Sequence, residues 1–545
     1  MRFPRSRTAL AGALIALAAP APAAQTIDTG AGVVDGLPLG ARNGVTTLGT
    51  DGTTLYAGPR LVVIGPDGAP RFAASAEAFR PAVAPEARAY SIATDGPRVW
   101  VGLGFTDAAA DDPTPTAAGF AVSDDAGRTW RYRFAPSDPA AATSLVYGVS
   151  TLYAEPVVSG AFAPPYGLAL AGPDVFVAAG VAGLRRSADG GATWQRLVLP
   201  PDTLRAIAPE QPVAFPVAPQ GTVLPDGSRA SASYNFEAYA VTADEAGTLW
   251  VGTLGGLNRS DAADERAGGQ RAWRRFVTDP AAPGGSPTGN FVTAIAAQPL
   301  EGMRDPVWFA TWPSPLAAQG LREEYGVTVW TGDDADGTPR FTTLLRGTIA
   351  YAFAFDGARA YVAAQDGLYA SPDGGRTWNV TRVFRGEDGR PLPIRPGAPV
   401  FAVAVTGPPG GRVLWAGSAE GLLRSADGGQ TWRVARANVP PRPDAPTADV
   451  PAVDVYAYPN PFAPGGGALA RIRFDLPAPA DVRVRVFDFG MNLVRTLEGG
   501  ARPAGPSEVL WDGTTDAGTR VANGTYVYLV EAGGRRLSGR LIVLN

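Results

Sequence analysis

Few kinds of side chain in this sequence can do chemistry. There is no cysteine and no histidine, and all 47 basic residues are arginine. Thiolate nucleophiles, a Ser-His-Asp triad, histidine-type zinc or iron sites, Schiff-base lysines and P-loops are excluded. Carboxylate, hydroxyl and guanidinium chemistry remain. A glycoside hydrolase needs two carboxylates facing each other across a cleft, roughly 5–10 Å apart. With 51 acidic residues, spacing alone does not pick the pair, and no catalytic or cofactor-binding residue is singled out. The tightest acidic grouping is GDDADG, which holds Asp333, Asp334 and Asp336. Calcium is the metal such oxygen ligands suit, but the EF-hand spacing is incomplete, and a solvated acidic turn is the competing reading. FATWPSP and VTVW place Trp312 and Trp330 near expected loops. Exposed, these indoles would stack on sugar; buried, they would pack between repeats.

Hydroxyl, carboxylate and indole also recur together in a repeated phrase. SDDAGRTW contains Ser123, Asp125, Gly127, Thr129 and Trp130, and SADGGATW contains Ser187, Asp189, Gly191, Thr193 and Trp194. SPDGGRTW contains Ser371, Asp373, Gly375, Thr377 and Trp378, and SADGGQTW contains Ser425, Asp427, Gly429, Thr431 and Trp432. The physical reading is a turn between antiparallel strands. Asp accepts backbone N–H bonds, Gly takes positive φ, and Thr and Trp open the next strand. A short apolar strand precedes each phrase, and related strands lack a clean phrase. Counting them gives seven units, at Tyr56, Trp100, Phe176, Trp250, Trp308, Tyr361 and Trp415. Ser371 and Ser425 lie 54 residues apart, and Ser123 and Ser187 lie 64 apart. A several-stranded repeat of that length suits a propeller blade. The expected fold class is all-β, a seven-bladed β-propeller followed by a small sandwich. The longest loops are expected at Gly104–Gly119 and Pro200–Asn235, and function is expected in the central funnel and its loops.

The phrase S-x-D-x-G-x-T-W resembles the Asp-box, or BNR repeat, of sialidases, sortilin-type receptors, xyloglucan-cleaving endoglucanases and photosystem II assembly factors. The resemblance implies a propeller with the boxes on the blade periphery, away from any active site. TLWVGTLGGLNRSD, followed by TGNFVTAIAAQP, is similar to the periplasmic propeller repeats of two-component regulators, though no kinase module accompanies it. FRPA, at Phe79 to Ala82, is similar to the first arginine motif of sialidases; chance is the competing reading in so arginine-rich a chain.

The remaining sequence frames this ring. MRFPRSR, then TALAGALIALAA and PAPAAQ, read as a signal peptide over residues 1–24. Its removal leaves 44 arginines against 51 acids, which argues against a nucleic-acid partner. No later stretch is long enough to span a bilayer as a helix. The propeller is expected over 26–438 and a Pro-rich linker over 439–453. The sandwich is expected over 454–545, with strands ARIRFDL and DVRVRVFDF and tight turns at Asp512-Gly513 and Asn523-Gly524. YPNPF and LWDGTTDAGTRVANGTYVY resemble the Ig-like domain of flagellar hook-capping proteins (FlgD) and the type IX secretion sorting domain of Bacteroidota. The second resemblance implies export through the periplasm by the type IX machinery to the surface or beyond. The chain ends LIVLN where such domains often end in a basic residue, which leaves a plain Ig-like accessory domain as the alternative. The function these readings imply is non-enzymatic binding of a polysaccharide or protein. A secreted glycoside hydrolase, sialidase-like or endoglucanase-like, and a periplasmic sensor or assembly factor are the alternatives.

Overall fold

The structure is a computed structural model. It describes residues 44–59, 61–66, 87–106, 114–266, 268–279, 281–282, 284–314, 323–392, 394–434, 454–458, 460–464, 469–505 and 507–544, and the backbone of 27–28, 33–34, 70–72, 107, 435–437 and 506. The expected leader, the linker and FRPA lie outside them. Two compact units form. The first comprises Val45–Arg382 and Gly397–Ala419; the second gathers Val383–Pro396, Glu420–Asn545 and strands from Ala21–Gly44.

The first unit consists of antiparallel sheets laid side by side, each beginning on a strand rich in small residues. These inner strands are Thr47–Thr50, Arg88–Asp95, Gly167–Ala171, Ala238–Ala243, Val292–Ala297, Ala350–Asp356 and Val400–Thr406. Each packs on the next, and the last packs on the first, so the sheets close into a ring. This is a β-propeller. The second strand of each sheet carries one of the aromatic residues used to count the repeats. Tyr56, Trp100, Phe176, Trp250, Trp308, Tyr361 and Trp415 are all buried. The run Leu249–Thr253 is buried at every position, as expected of strands covered on both faces by neighbouring sheets. Among the described residues, no helix is long and apolar enough to cross a membrane.

The repeated phrase folds the same way four times. The Ser hydroxyl donates to the Asp carboxylate at 2.7–2.9 Å and accepts the N–H of the second Gly (Gly127 in the first copy) at 2.7–2.8 Å. The Thr hydroxyl donates to the other carboxylate oxygen at 2.5–2.7 Å. Glycine is required at Gly191 and Gly375 on two grounds: φ is +84° and +92°, and a Cβ would press on the Trp100 and Trp308 rings of the preceding sheets. Trp194 and Trp378 meet those same rings edge-on at 6.3 and 6.2 Å. The phrase therefore spaces one sheet from the next.

This arrangement makes a pH prediction. The Thr193 hydroxyl, followed by the Thr193 amide and the Ser187 hydroxyl, lowers the Asp189 pKa from 3.8 to about 2. The stability contributed by this carboxylate is complete above 3.8 and is lost as pH falls towards 2. Asp189→Asn, which keeps an acceptor but no charge, should flatten that acid limb in urea titrations at successive pH values. An unchanged limb would contradict the assignment.

Two insertions thicken the third and fourth sheets. Residues 134–166 include the hairpin Ser144–Tyr147/Ser150–Tyr153, and the expected loop Pro200–Asn235 lies within residues 198–237. They interlock: Ala154 bridges Val217, and Val213 N–H donates to the Ser150 hydroxyl at 2.9 Å. Gly148 sits at φ +53° with the Pro209 carbonyl where a Cβ would stand. Gly148→Ala should cost at least about 1 kcal/mol, read as a lower thermal midpoint. The expected Gly104–Gly119 loop is corrected. Its described ends continue the hairpin Arg98–Asp107/Thr114–Ser123, with strands paired out to Asp107 and Thr114.

The second unit contains the expected sandwich. One sheet orders Val455–Tyr458, Ala470–Leu476 and Gly505–Trp511; the other orders Leu493–Arg502, Ala480–Phe487, Gly524–Ala532 and Arg535–Val543. Alternate residues of ADVRVRVF point inward, so Val482, Val484 and Val486 join Ile472, Phe474, Trp511 and Val530 in one core. Phe462 of YPNPF is fully buried, and its backbone bonds Ile542 and Leu544, closing that core. In the same unit, Gly421–Ser425 pairs with Arg433–Ala437, and Ile27–Asp28 pairs with the far side of Arg433–Ala437.

Candidate functional site

The register of four inner strands skips one aromatic residue near its start. The skipped residues are Tyr90, Tyr239, Tyr351 and Phe401. Such a bulge re-aims the extra side chain, and here that side chain is aromatic each time. In the third sheet Tyr166 stands just before its inner strand. In the fifth the skipped residue is Thr293, and Phe291 stands just before the strand.

These rings touch in sequence from sheet to sheet. Tyr90 meets Tyr166 at 6.0 Å, and Tyr166 meets Tyr239 at 5.2 Å between centroids. Tyr239 meets Phe291 at 5.2 Å, Phe291 meets Trp312 at 6.2 Å, Trp312 meets Tyr351 at 5.4 Å and Tyr351 meets Phe401 at 5.2 Å. Seven rings thus make a continuous arc, interrupted at the inner strand Thr47–Thr50, which carries no aromatic. Tyr239 and Phe291 are buried; the other five keep only part of each ring exposed. Most ring pairs meet edge-on or tilted, the arrangement the ring quadrupoles favour.

The arc occupies the opposite end of the sheets from the repeated phrase. The phrases sit beside the turns between first and second strands: Ala126 N–H donates to Pro97 O, and Gly374 N–H to Ala358 O. The aromatics stand at the starts of the first strands, roughly 20 Å away by strand rise. This end is also where the loops between sheets arrive.

Polar groups frame the arc sparsely. Arg88 lies over the Tyr90 ring at 5.5 Å, and its Nη2 donates to the Thr106 hydroxyl at 3.0 Å. Tyr239 OH donates to Glu237 at 3.3 Å, and Trp312 Nε1 to Ala350 O at 2.7 Å. Burial pushes the Tyr351 phenol up to about 12 and that of Tyr239 well above its ordinary range, so both are neutral donors. Nearby acids are engaged. Asp202 accepts the Tyr234 and Asn235 amides and pairs with Arg275, Glu323 holds Asn290, and Asp366 pairs with Arg382. The inner strands carry carboxylates only at Asp95 and Asp356, at the phrase end. The surface can stack on flat apolar faces and offer a few hydrogen bonds.

The sequence pointed to one of these rings, Trp312, and missed six. Four of the six left a signal: RAYSIA, EAYAVT, IAYAFA and PVFAVA each precede a counted strand. Trp330 is fully buried, packed on Trp250 at 4.8 Å, so it is an inter-sheet residue.

The three acids of the turn each face a separate partner. Asp333 accepts Arg259 Nη1 at 2.7 Å and Trp330 Nε1 at 2.9 Å. Asp334 faces Arg340 at 3.5 Å, and Asp336 caps the Thr338 amide at 2.9 Å. No cluster of three or more metal-ligating residues exists among the described residues. The physical reason is that arginine already neutralises the best-placed carboxylate. The phrase residues from Ser123 through Trp432 are likewise structural in their contacts.

Residues 462–535 match the FlgD Ig-like domain family. No curated protein sequence matches the chain significantly. Similar solved structures include YCF48 from Cyanidioschyzon merolae, at 14% identity and TM-score 0.38, covering 73% of this chain and 98% of that one. The GH74 xyloglucanase from Xanthomonas campestris is 15% identical with TM-score 0.45; the match covers 82% of this chain and 59% of that enzyme. PorZ, an essential surface component of the type-IX secretion system of Porphyromonas gingivalis, is 15% identical with TM-score 0.18, over 93% of this chain and 76% of that one.

Proposed function

We propose that the protein is an exported, seven-bladed Asp-box propeller that binds an extended polysaccharide at its aromatic end without cleaving it. The observation that carries this reading is the aromatic arc. Tyr90, Tyr166, Trp312, Tyr351 and Phe401 offer partly exposed rings along one curved line, and the apolar faces of successive sugars stack on such rings. The blade count is supported by the closed cycle of inner strands, and the Asp-box reading by the four identical turn geometries. The Ig-like domain is proposed as a type IX sorting domain that delivers the propeller to the cell surface or medium.

Protein binding is the second reading, favoured by the apolar side chains that one insertion exposes. Val146 and Val149 at the hairpin tip are 63% and 68% exposed. Affinity electrophoresis of the full chain against neutral, acidic and sialylated polysaccharides tests the first reading. Retardation by at least one is expected. Migration unchanged by all of them, with capture of a protein partner, would replace it by the second. Fractionation tests delivery: periplasmic retention would contradict the sorting proposal.

A further inference from the structure

We propose that the second unit binds an organic oxyanion, a carboxylate or phosphate ester carrying an apolar body. This goes beyond the aromatic arc and does not rest on it. The unit carries an open pocket of about 480 Å³, within the size range of small-molecule sites. Arg395 enters from the segment Val383–Pro396, and Arg495 and Arg520 enter from the sandwich; Leu497 and Leu510 supply an apolar wall.

Three cations face one acid, Asp512. That acid is turned onto its own loop, accepting the Thr514 amide at 3.0 Å and hydroxyl at 2.7 Å. The arginines are incompletely satisfied. The Nε atoms of Arg395 and Arg495 are buried without a hydrogen bond. Their closest carboxylates, Glu420 at 3.7 Å and Asp516 at 3.9 Å, stand beyond hydrogen-bond length. Arg495 spends Nη1 on the Thr515 carbonyl at 2.7 Å. Arg520 is exposed and makes no ion pair among the described residues.

Like charges gathered around a pocket, with two Nε–H donors that lack a hydrogen bond, are relieved by an anion. The planar guanidinium fork matches the two oxygens of a carboxylate or phosphate. The leucines make an apolar substituent on that anion favourable.

The test is calorimetric titration of the full chain with phenyl phosphate, benzoate and inorganic phosphate, at low and raised salt. At least one aryl probe should bind with Kd below about 1 mM, weaken with salt and exceed inorganic phosphate by tenfold or more. Phenyl phosphate and benzoate separate the two oxyanion types. Arg520→Gln, at an exposed position, should reduce affinity at least tenfold, whereas Arg540→Gln, elsewhere on the sandwich, should leave it unchanged. No heat with any probe, or wild-type affinity in Arg520→Gln, would overturn the proposal.

Discussion

Arg259→Met lowers the unfolding free energy of the propeller by about 3–5 kcal/mol, the usual loss when one partner of a buried ion pair is removed. Arg259 is 4% exposed. Its Nη1 donates to Asp333 at 2.7 Å, and its Nε and Nη2 donate to Asp261, both at 2.9 Å. The guanidinium is packed against Trp250 and Trp330, 5.5 and 4.9 Å from their centroids. The fourth sheet lacks the repeated phrase, and this cation lies against both its Trp250 and Trp330 of the next sheet, which pack on each other. Methionine keeps much of the volume but strands Asp333, whose side chain is only 17% exposed. Asp261 is 39% exposed, so its share of the loss is small. Adding Asp333→Val removes the stranded charge and should recover much of the loss. Urea unfolding followed by tryptophan fluorescence measures both. A loss below about 1 kcal/mol for the single change would mean that this charge pairing does not hold the sheets together.

The second large effect falls on binding. Trp312→Ala with Tyr351→Ala should weaken the polysaccharide ligand by about thirtyfold or more, the scale of truncating an aromatic hot spot. Both rings are partly exposed and adjacent, at 5.4 Å, so removing them opens the middle of the arc. Tyr239 is a poorer choice, since it is buried and its loss would test folding. Tyr351→Phe separates stacking from hydrogen bonding: affinity close to wild type is expected if the ring face carries the contact. The thermal midpoint of each variant guards against loss of structure. Wild-type affinity in the double variant would move the site away from the arc.

The repeat architecture was legible because a strand followed by S-x-D-x-G-x-T-W is both periodic and local. Turn chemistry of that kind is written in consecutive residues. Trp100 and Trp308 marked second strands correctly for the same reason. The arc was harder to read because its members are adjacent only after the ring closes. Tyr90 and Phe401 are ordinary strand aromatics until a one-residue bulge aims each towards a ring of a neighbouring sheet. The surroundings of Asp333 were hidden for a related reason: Arg259, which pairs with it, lies 74 positions earlier in sequence. The insertion over residues 134–166 was overlooked because its hairpin strands resemble the blade strands around them.

The claim that this propeller holds a polysaccharide without cutting it is tested most directly by incubating the full chain with each polysaccharide it retards. Intact and released sugars are then followed by mass spectrometry. The account predicts bound, full-length ligand and no new products. Released oligosaccharides would contradict it and would make the acids around the arc, Glu237 and Asp202 first, the next residues to change.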